Sequence, residues 1–238
     1  DSTRVIAEID QGGLGLPDRD YYVKTDEDSV KLRRQYLEHV GRVFRLAGSS
    51  EADAVSKAAA VMRIETELAK ASLDNVARRS PENVYHPYKT AELISLNPGI
   101  DWEKYFESLG RAGLARMNVT HPPFVRRVEE VIVTSSLDDL KAYLSWHLLH
   151  ETAGVLPSAF AEEDFQFFGK VLNGAKTMQP RWRRCVTLVD EQMGDALAQK
   201  YVQNSFGPSA KERIDTMVRA LSGAMARDIN SLPWMTAD

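Results

Sequence analysis

Two histidines and a glutamate near the middle of the chain have the side chains of metal ligands. His147 and His150 are three residues apart, and Glu151 follows at once. In a helix, residues three or four apart lie on one face. The helices of known zinc enzymes, however, place the glutamate in the order HExxH or HxxEH, and the sequence offers no third ligand. We therefore expect packed or solvent-facing histidines, and a small metal site on these three residues stays open as an alternative.

Three consecutive acids and a single cysteine are the other candidates for chemistry. Glu162, Glu163 and Asp164 offer paired carboxylates for general acid and base catalysis, but the helix dipole also favours acids near a helix N-terminus. Cys185 is the only cysteine, so it forms no internal disulfide, and no catalytic partners can be assigned to it. We expect a buried or partly buried thiol beside Trp182. The sequence assigns no catalytic residue and no metal ligand, and the substrate-binding residues are unknown.

The stretch 12–22, GGLGLPDRDYY, joins two helical patterns. Glycine adopts positive φ readily and proline fixes φ near −65°, so this stretch is predicted to be a rigid, non-helical loop. It lacks the GxGxxG spacing and the preceding hydrophobic strand of a phosphate-binding loop. We interpret it as a structural elbow.

Helices are predicted along most of the chain. Apolar residues recur at helical spacing over 32–44, from 55 to about 79, over 137–151 and over 214–232. A short strand at 131–133 is less economical than a helix, and the loop 83–99 carries one short helix at 90–96. Four pairs of the capping-box type mark helix starts: Thr25 with Asp28, Ser50 with Asp53, Ser136 with Asp139, and Ser209 with Glu212. We predict an all-α fold of about eight to ten helices with short turns, forming a single domain over residues 1–238.

The proline-broken loop 83–99 carries aromatic side chains that invite two interpretations. In the first interpretation, the side chains of Tyr85, His86 and Tyr88 line a groove. In the second, they fasten the loop to the helices, and the tendency of aromatic side chains to pack favours this interpretation. Asn118 begins the triplet Asn-Val-Thr, a formal N-glycosylation sequon that has meaning only in a eukaryotic secretory context.

Composition excludes several classes of protein. The formal net charge is −4 and the isoelectric point is near 5.8, which argues against a general nucleic-acid binder because such proteins carry a basic face. No apolar run approaches the roughly 18 residues needed to span a membrane. Residues 1–10 are charged and amphipathic and do not resemble a signal peptide.

Several parts of the sequence resemble the neprilysin-type zinc metalloendopeptidases, peptidase family M13. Residues 13–22, GLGLPDRDYY, are similar to that family's GLGLP-x-RDYY, and residues 180–186, PRWRRCV, resemble its PRW-[KR]-RC. Residues 191–206 resemble a segment that ends G-x-x-Y-V-x-x-x-F, and LPWM at 232–235 resembles L-x-WM. PYK at 87–89 and LKAYLSW at 140–146 follow the same order. The resemblance therefore covers almost the whole chain.

The zinc chemistry of that family lies outside the matched region. Its members bind zinc through an HExxH helix and a further glutamate that are C-terminal to the segments matched here. None of the five histidines, which are His39, His86, His121, His147 and His150, is followed by Glu-x-x-His. The resemblance therefore implies zinc in the parent enzyme, no cofactor in this chain, and no activity of this chain alone.

The resemblance also implies a role. The matched region of these peptidases is a helical capping domain, or lid, that admits peptides and excludes folded proteins from the zinc site. The expected partners are the catalytic C-terminal half and peptide substrates. Arg181, Arg183 and Arg184 would contact that half or bind carboxylates elsewhere in a full-length protein, and a solvated face is an equal alternative for them. The expected location is extracytoplasmic, that is periplasmic, secreted or at the cell surface. The missing signal peptide suggests a truncated fragment without its true N-terminus. The alternative is a stand-alone helical domain that binds peptides or proteins without catalysis.

Overall fold

The computed structural model describes residues 5–234, so that the Met235 of LPWM and the first four residues of the 1–10 stretch lie outside the described part. The described chain is built mainly from helices, which confirms the predicted all-α class. The helices are α1 (Asp20–Val23), α2 (Glu27–Leu46), α3 (Glu51–Ala71), α4 (Pro81–Val84), α5 (Thr90–Leu96), α6 (Trp102–Ser108), α7 (Pro122–Thr134), α8 (Leu137–Thr152), α9 (Ser158–Asp164), α10 (Arg181–Ser205) and α11 (Pro208–Ser231). The strands are β1 (Ala7–Ile9), β2 (Pro87–Lys89) and β3 (Arg116–Val119), and the π-helical segment Phe165–Leu172 follows α9.

The chain divides into two compact units, Asp1–Met178 and Gln179–Asp238. The first contains all three strands and helices α1 to α9, and the second contains α10 and α11. A single domain over residues 1–238 stays a prediction.

Side-chain caps begin helices α3 and α8 where the sequence predicts them. The hydroxyl of Ser50 accepts a hydrogen bond from the backbone N–H of Asp53 at 3.3 Å. Ser136 accepts one from the backbone N–H of Asp139 at 3.1 Å. Each cap satisfies one of the N–H groups that have no partner within the first helical turn.

The other two predicted helix starts are wrong, by one residue for α2 and by two residues for α11. Helix α2 is capped by Asp26, not Thr25, because the Asp26 carboxylate accepts from the backbone N–H of Ser29 at 2.9 Å. Helix α11 begins at Pro208 with Gly207 as its N-cap, two residues before the predicted cap Ser209. Proline suits this position because its φ is already helical and its missing N–H needs no partner.

Helix α3 ends at Ala71 and does not reach residue 79 as predicted. The cause is the side-chain amide of Gln11, which binds both backbone groups of Leu73. Gln11 Nε2 donates to the Leu73 carbonyl at 3.0 Å, and Gln11 Oε1 accepts from the Leu73 N–H at 2.8 Å. Since Ser72 is already extended, with ψ of 148°, these bonds replace the helical ones.

The largest core lies between α2, α3 and α8 and includes the elbow loop and the π-helical segment. Its members are fully or almost fully buried apolar side chains, and helical spacing brings them to one face of each helix. They are Leu16, Tyr22, Tyr36, Val40, Val43, Phe44, Ala54, Ala58, Val61, Ala69, Ala142, Trp146 and Phe167.

A small sheet, which the sequence analysis did not predict, supports a second core. Its strand order is β1-β3-β2, with β1 parallel and β2 antiparallel to β3. The strands have three or four residues, too few for an alternating pattern to stand out from a loop. The second core packs against this sheet and consists of Leu93, Trp102, Phe106, Met117, Val119 and Val125.

The unit Gln179–Asp238 has no buried residue in either of its helices within the described part. The apolar stripe predicted for α11 is therefore exposed in this chain. Nowhere between residues 5 and 234 is a helix long and apolar enough to cross a membrane.

Candidate functional site

The elbow loop is held by polar contacts to its own backbone. The hydroxyl of Tyr22 accepts a hydrogen bond from the backbone N–H of Leu16 at 2.8 Å. The hydroxyl of Tyr143, on α8, donates to the Gly13 carbonyl at 2.8 Å. Gly15 packs so closely against the Tyr36 hydroxyl that a methyl group in its place would clash with it. The loop thus folds onto the bundle, but it joins strand β1 to helix α1 and not two helices. Residues 20–22 are helical, so the prediction of a non-helical elbow holds only as far as residue 19.

Glu65 on α3 is the polar group on which these contacts converge. It is fully buried, with no exposed surface. The Tyr22 hydroxyl donates to Glu65 Oε2 at 2.8 Å, and the Tyr36 hydroxyl donates to the same oxygen at 2.8 Å. Trp146 Nε1 in turn donates to the Tyr36 hydroxyl at 2.9 Å. We call Tyr22, Tyr36, Glu65 and Trp146 the Glu65 centre.

Proton positions in the Glu65 centre follow from its connections. Each tyrosine hydroxyl has one proton, and each accepts a hydrogen bond from a group that can only donate, either the Leu16 N–H or the Trp146 indole. Both tyrosine hydroxyls therefore donate their hydrogen bond to Glu65 and keep their proton. Burial, and next the charge of Glu65, raise the pKa of Tyr22 and of Tyr36 well above the ordinary value, so both hydroxyls stay protonated.

His147 lies beside the Glu65 centre without joining its hydrogen bonds. Its Nε2 is 3.2 Å from Glu65 Oε1, but this buried nitrogen makes no hydrogen bond within the described part of the chain. The imidazole also meets the ring of Tyr143 edge to face, with ring centres 4.6 Å apart.

His150 faces a different carboxylate from the one that His147 faces. Its Nδ1 lies 3.0 Å from Asp164 Oδ1, and its ring stacks between Trp146 and Phe168, with ring centres 5.4 and 4.2 Å away. Glu151 is exposed. The three residues of the alternative metal site therefore do not converge. Over residues 5–234 no group of three or more His, Cys, Asp or Glu side chains is placed to hold a metal ion.

Glu163 is also engaged, by a hydrogen bond with His39 and an ion pair with Arg42. His39, fully buried on α2, lies with its Nδ1 2.8 Å from Glu163 Oε1, and Arg42 Nε donates to the same oxygen at 2.7 Å. Although burial acts in the opposite direction, hydrogen bonds from His39 and Arg42 lower the pKa of Glu163. Glu163 and, through His150, Asp164 therefore fasten α9 to α2 and α8. Glu162 is exposed, and the three acids form no acid and base pair.

The aromatic residues of loop 83–99 fasten it to strand β3 through His86 and, through Tyr88, to the second core, which includes residues of helices α5, α6 and α7. The favoured interpretation is therefore right for Tyr88, and the structure adds the strand. The backbone N–H of His86 donates to Asn118 Oδ1 at 2.7 Å, and Tyr88 packs on the second core. Tyr85 is 64% exposed. Asn118 Nδ2 donates to Glu8 Oε2 and to the Val84 carbonyl, so the sequon amide is buried and occupied in this fold.

Cys185 is exposed in this chain, and the expected buried thiol is wrong. It lies on α10, where Trp182 is 68% exposed and Arg181 and Arg183 are exposed as well. The expected burial of the Cys185 thiol fails because no residue along α10 is buried in this chain.

Glu65 lies within the helical pattern that the sequence predicts from 55 to about 79, and the sequence analysis gave it no role. A carboxylate at a core position of an amphipathic helix was the available signal, because a buried charge needs partners. The partners themselves come from α2, α8 and the elbow loop. The sequence does not show that these three elements meet at Glu65.

The sequence model of peptidase family M13 matches residues 1–238. The chain is 28% identical over 240 residues to endothelin-converting enzyme 1 of Rattus norvegicus, covering 98% of this chain and 31% of that protein. It is 26% identical over 245 residues to Neprilysin-3 of Drosophila melanogaster, again covering 98% of this chain and 31% of the relative.

Solved structures agree with these sequence relatives. The fold is similar to the zinc metalloprotease ZMP1 of Mycobacterium tuberculosis in complex with an inhibitor, with a TM-score of 0.86 and 35% identity over 100% of this chain and 36% of that one. PEPO of Lactobacillus rhamnosis, at 17% identity and a TM-score of 0.75, shares the fold over 98% of this chain and 37% of its own. The chain thus spans about a third of the length of its relatives. Because the family match runs from the first residue to the last, this chain belongs to peptidase family M13 and corresponds to the N-terminal region of such a peptidase.

Proposed function

We propose that this chain is the helical lid of a zinc metalloendopeptidase, and that it restricts access to a zinc site held by polypeptide outside these 238 residues. One observation carries the proposal. The chain matches an M13 region over its whole length and spans about a third of its relatives, yet its sequence contains no HExxH. The same match does not favour a stand-alone binding domain.

The buried hydrogen bonds of the first unit support a lid. A lid that excludes folded proteins must keep its shape, and the Glu65 centre links α2, α3 and α8 through buried hydrogen bonds. Buried polar groups that are fully satisfied favour one arrangement of the surrounding helices. The pairs of His39 with Glu163 and of His150 with Asp164 add α9 to the same unit.

The two helices of the second unit support a partner. Each exposes apolar residues at helical spacing, which in soluble proteins marks an interaction surface. On α10 these residues are Trp182, Val186, Val189, Met193 and Leu197, and on α11 they are Ile214, Met217, Val218, Leu221, Met225 and Ile229. We assign the catalytic half of the same peptidase as the partner of these faces, with zinc in that half and peptides as substrates. The whole enzyme then acts outside the cytoplasm, as its relatives' family implies.

A reconstitution experiment tests the lid. The catalytic half carrying HExxH and this chain are produced separately and mixed, and cleavage is followed with a short fluorogenic peptide and with a folded protein that has exposed cleavable loops. We expect this chain alone to cleave neither substrate. The mixture is expected to cleave the peptide in a chelator-sensitive way and to spare the folded protein.

Two results would contradict the proposal. Chelator-sensitive cleavage by this chain alone would place the active site within these 238 residues. The second result is a stable complex of the two parts on a sizing column that cleaves the folded protein as fast as the catalytic half does alone. It would exclude the lid role and leave this chain only a structural one.

A further inference from the structure

An apolar groove of about 970 Å³ runs along strand β1 in the first unit. Its walls are residues 5–10, helix α6 and helix α7, and Trp102, Tyr105 and Phe106 supply the aromatic part of the lining. Tyr105 is 50% exposed. Grooves of this size, mostly apolar and bounded by a strand, suit an extended peptide segment.

The strand beside the groove has one unpaired edge. In the described part β1 is the outermost strand of the sheet, with β3 on one side only. The Ile9 carbonyl accepts from the backbone N–H of Thr120, next to the end of β3. Because successive residues of a strand point their backbone groups to opposite sides, the N–H and C=O of Glu8 face the open edge. An open edge of this kind is a template for another strand.

Two more observations indicate that this edge has an occupant. The apolar Val5 and Ile6, which precede β1 along the same wall, are 104% and 44% exposed. Trp102 is 7% exposed, and its indole N–H is buried without an acceptor within residues 5–234. A buried donor without a partner is unfavourable by about 1–3 kcal/mol, and a peptide backbone in the groove supplies a carbonyl at every residue.

We propose that an extended, apolar segment from the part of the polypeptide outside residues 1–238 adds a strand to the open edge of β1 and fills this groove. The inference rests on the proposed function in one respect, namely that the chain is a region of a longer peptidase. The relatives supply the argument for this source, because they are about three times as long as the matched region.

A second copy of this chain suits the edge less well. In a symmetric antiparallel pair of β1 strands, the two Glu8 side chains approach each other across the twofold axis, with Asp10 of each strand nearby. Like charges directly opposite in a strand pair are destabilising. A segment with apolar or basic residues opposite Glu8 has no such repulsion.

Amide hydrogen exchange at single-residue resolution, on the full-length peptidase that contains this region, tests the inference. We expect the Glu8 N–H to exchange about 100-fold or more slowly than an unprotected amide, as the N–H of a paired strand does. The Ile9 N–H, which faces β3, serves as the internal control for an intact sheet. In the 238-residue chain we expect Ile9 to stay protected and Glu8 to exchange freely.

A photo-crosslinking benzophenone side chain at Val5 of the full-length protein identifies the occupant. We expect an intramolecular cross-link to a segment outside the matched region, and no such product when the same group replaces Val133, which is exposed on α7 away from the groove. Free exchange at Glu8 in the full-length protein would overturn the inference, as would a cross-link only to a second copy or to another protein. Peptidase activity of the same sample, and its loss with a chelator, tests the proposed function separately. An active peptidase in which the Glu8 N–H exchanges freely would refute the added strand and leave the proposed function intact.

Discussion

The hydroxyl of Tyr36 lies 2.8 Å from Oε2 of Glu65, and neither side chain has any exposed surface. This contact joins α2 to α3, and the Trp146 indole extends it to α8. Tyr22 brings the elbow loop to the same oxygen. The most recognisable motif of the chain, GLGLPDRDYY, therefore owes its shape to a buried carboxylate more than 40 residues away.

We expect Gly15→Ala to destabilise the fold and Gly12→Ala to leave it nearly unchanged. A methyl group on Gly15 meets the Tyr36 hydroxyl and lies 3.1 Å from Glu65 Oε1, whereas one on Gly12 meets no atom within 4 Å. Overpacking of this kind is destabilising by about 1–3 kcal/mol. Urea unfolding followed by circular dichroism measures both variants. Equal stability of the two would mean that the loop does not pack against the Glu65 centre.

Tyr36→Phe is expected to lower the free energy of unfolding by about 1–3 kcal/mol, because it leaves the buried Trp146 N–H without an acceptor. Tyr105→Phe is the matched control: Tyr105 is 50% exposed, and its change should stay within about 0.5 kcal/mol. In a double-mutant cycle with Glu65→Gln, we expect the two losses not to add, since the residues share a hydrogen bond. Additive losses would indicate that the contact contributes nothing.

Much of the helical architecture could be predicted from the sequence because it depends on local rules. The short helix Thr90–Leu96 and the helical state of residues 131–133 agree with prediction, and Gly48 and Gly110 follow helices with φ of 94° and 69°. The early end of α3 could not be predicted, because it depends on Gln11, which is 62 residues from Leu73 along the chain.

The site was less predictable than the fold. Spacing correctly puts His147 and His150 on neighbouring turns of α8, but the two imidazoles lie beside carboxylates of different elements, His147 beside Glu65 of α3 and His150 beside Asp164 of α9. The three-residue strands fall below the length at which alternation is informative. The M13 assignment came from family resemblance and not from a recognised site. The motifs that carry the resemblance do not include the residues that bind zinc in this family.

We expect replacement of both His147 and His150 by alanine to leave zinc uptake of this chain unchanged. The two imidazoles face different carboxylates and Glu151 is exposed, so they do not form the three-ligand arrangement of a catalytic zinc site. Metal analysis after equilibration with zinc and gel filtration compares the two proteins. About one bound zinc per chain in the unaltered protein, lost in the double variant, would establish the metal site that the geometry does not support.

The pH dependence of stability should depend in part on His39. Burial lowers the pKa of its imidazole, while the hydrogen bond and charge of Glu163 partly oppose this shift.

In the unfolded chain His39 takes up a proton near its ordinary pKa of about 6.5, and in the folded protein only at lower pH. The unfolded state therefore binds more protons as the pH falls below about 6.5, and the free energy of unfolding decreases. Glu163, whose pKa is also lowered, acts in the same direction only at more acid pH, near the ordinary range of carboxyl groups.

We expect unfolding in urea at pH 7, 6 and 5 to give a shallower loss of stability for His39→Gln than for the unaltered protein. Glu163→Gln is the opposing variant: without the carboxylate the pKa of His39 falls further, so the loss between pH 7 and 5 should become steeper. Burial also lowers the pKa of His121, which contributes equally to all three proteins and therefore cancels in the comparison. If the free energy of unfolding changes with pH by the same slope in all three proteins, the pairing of His39 with Glu163 does not govern the acid sensitivity of the bundle. If the order of the two variants is reversed, His39 is protonated in the folded state.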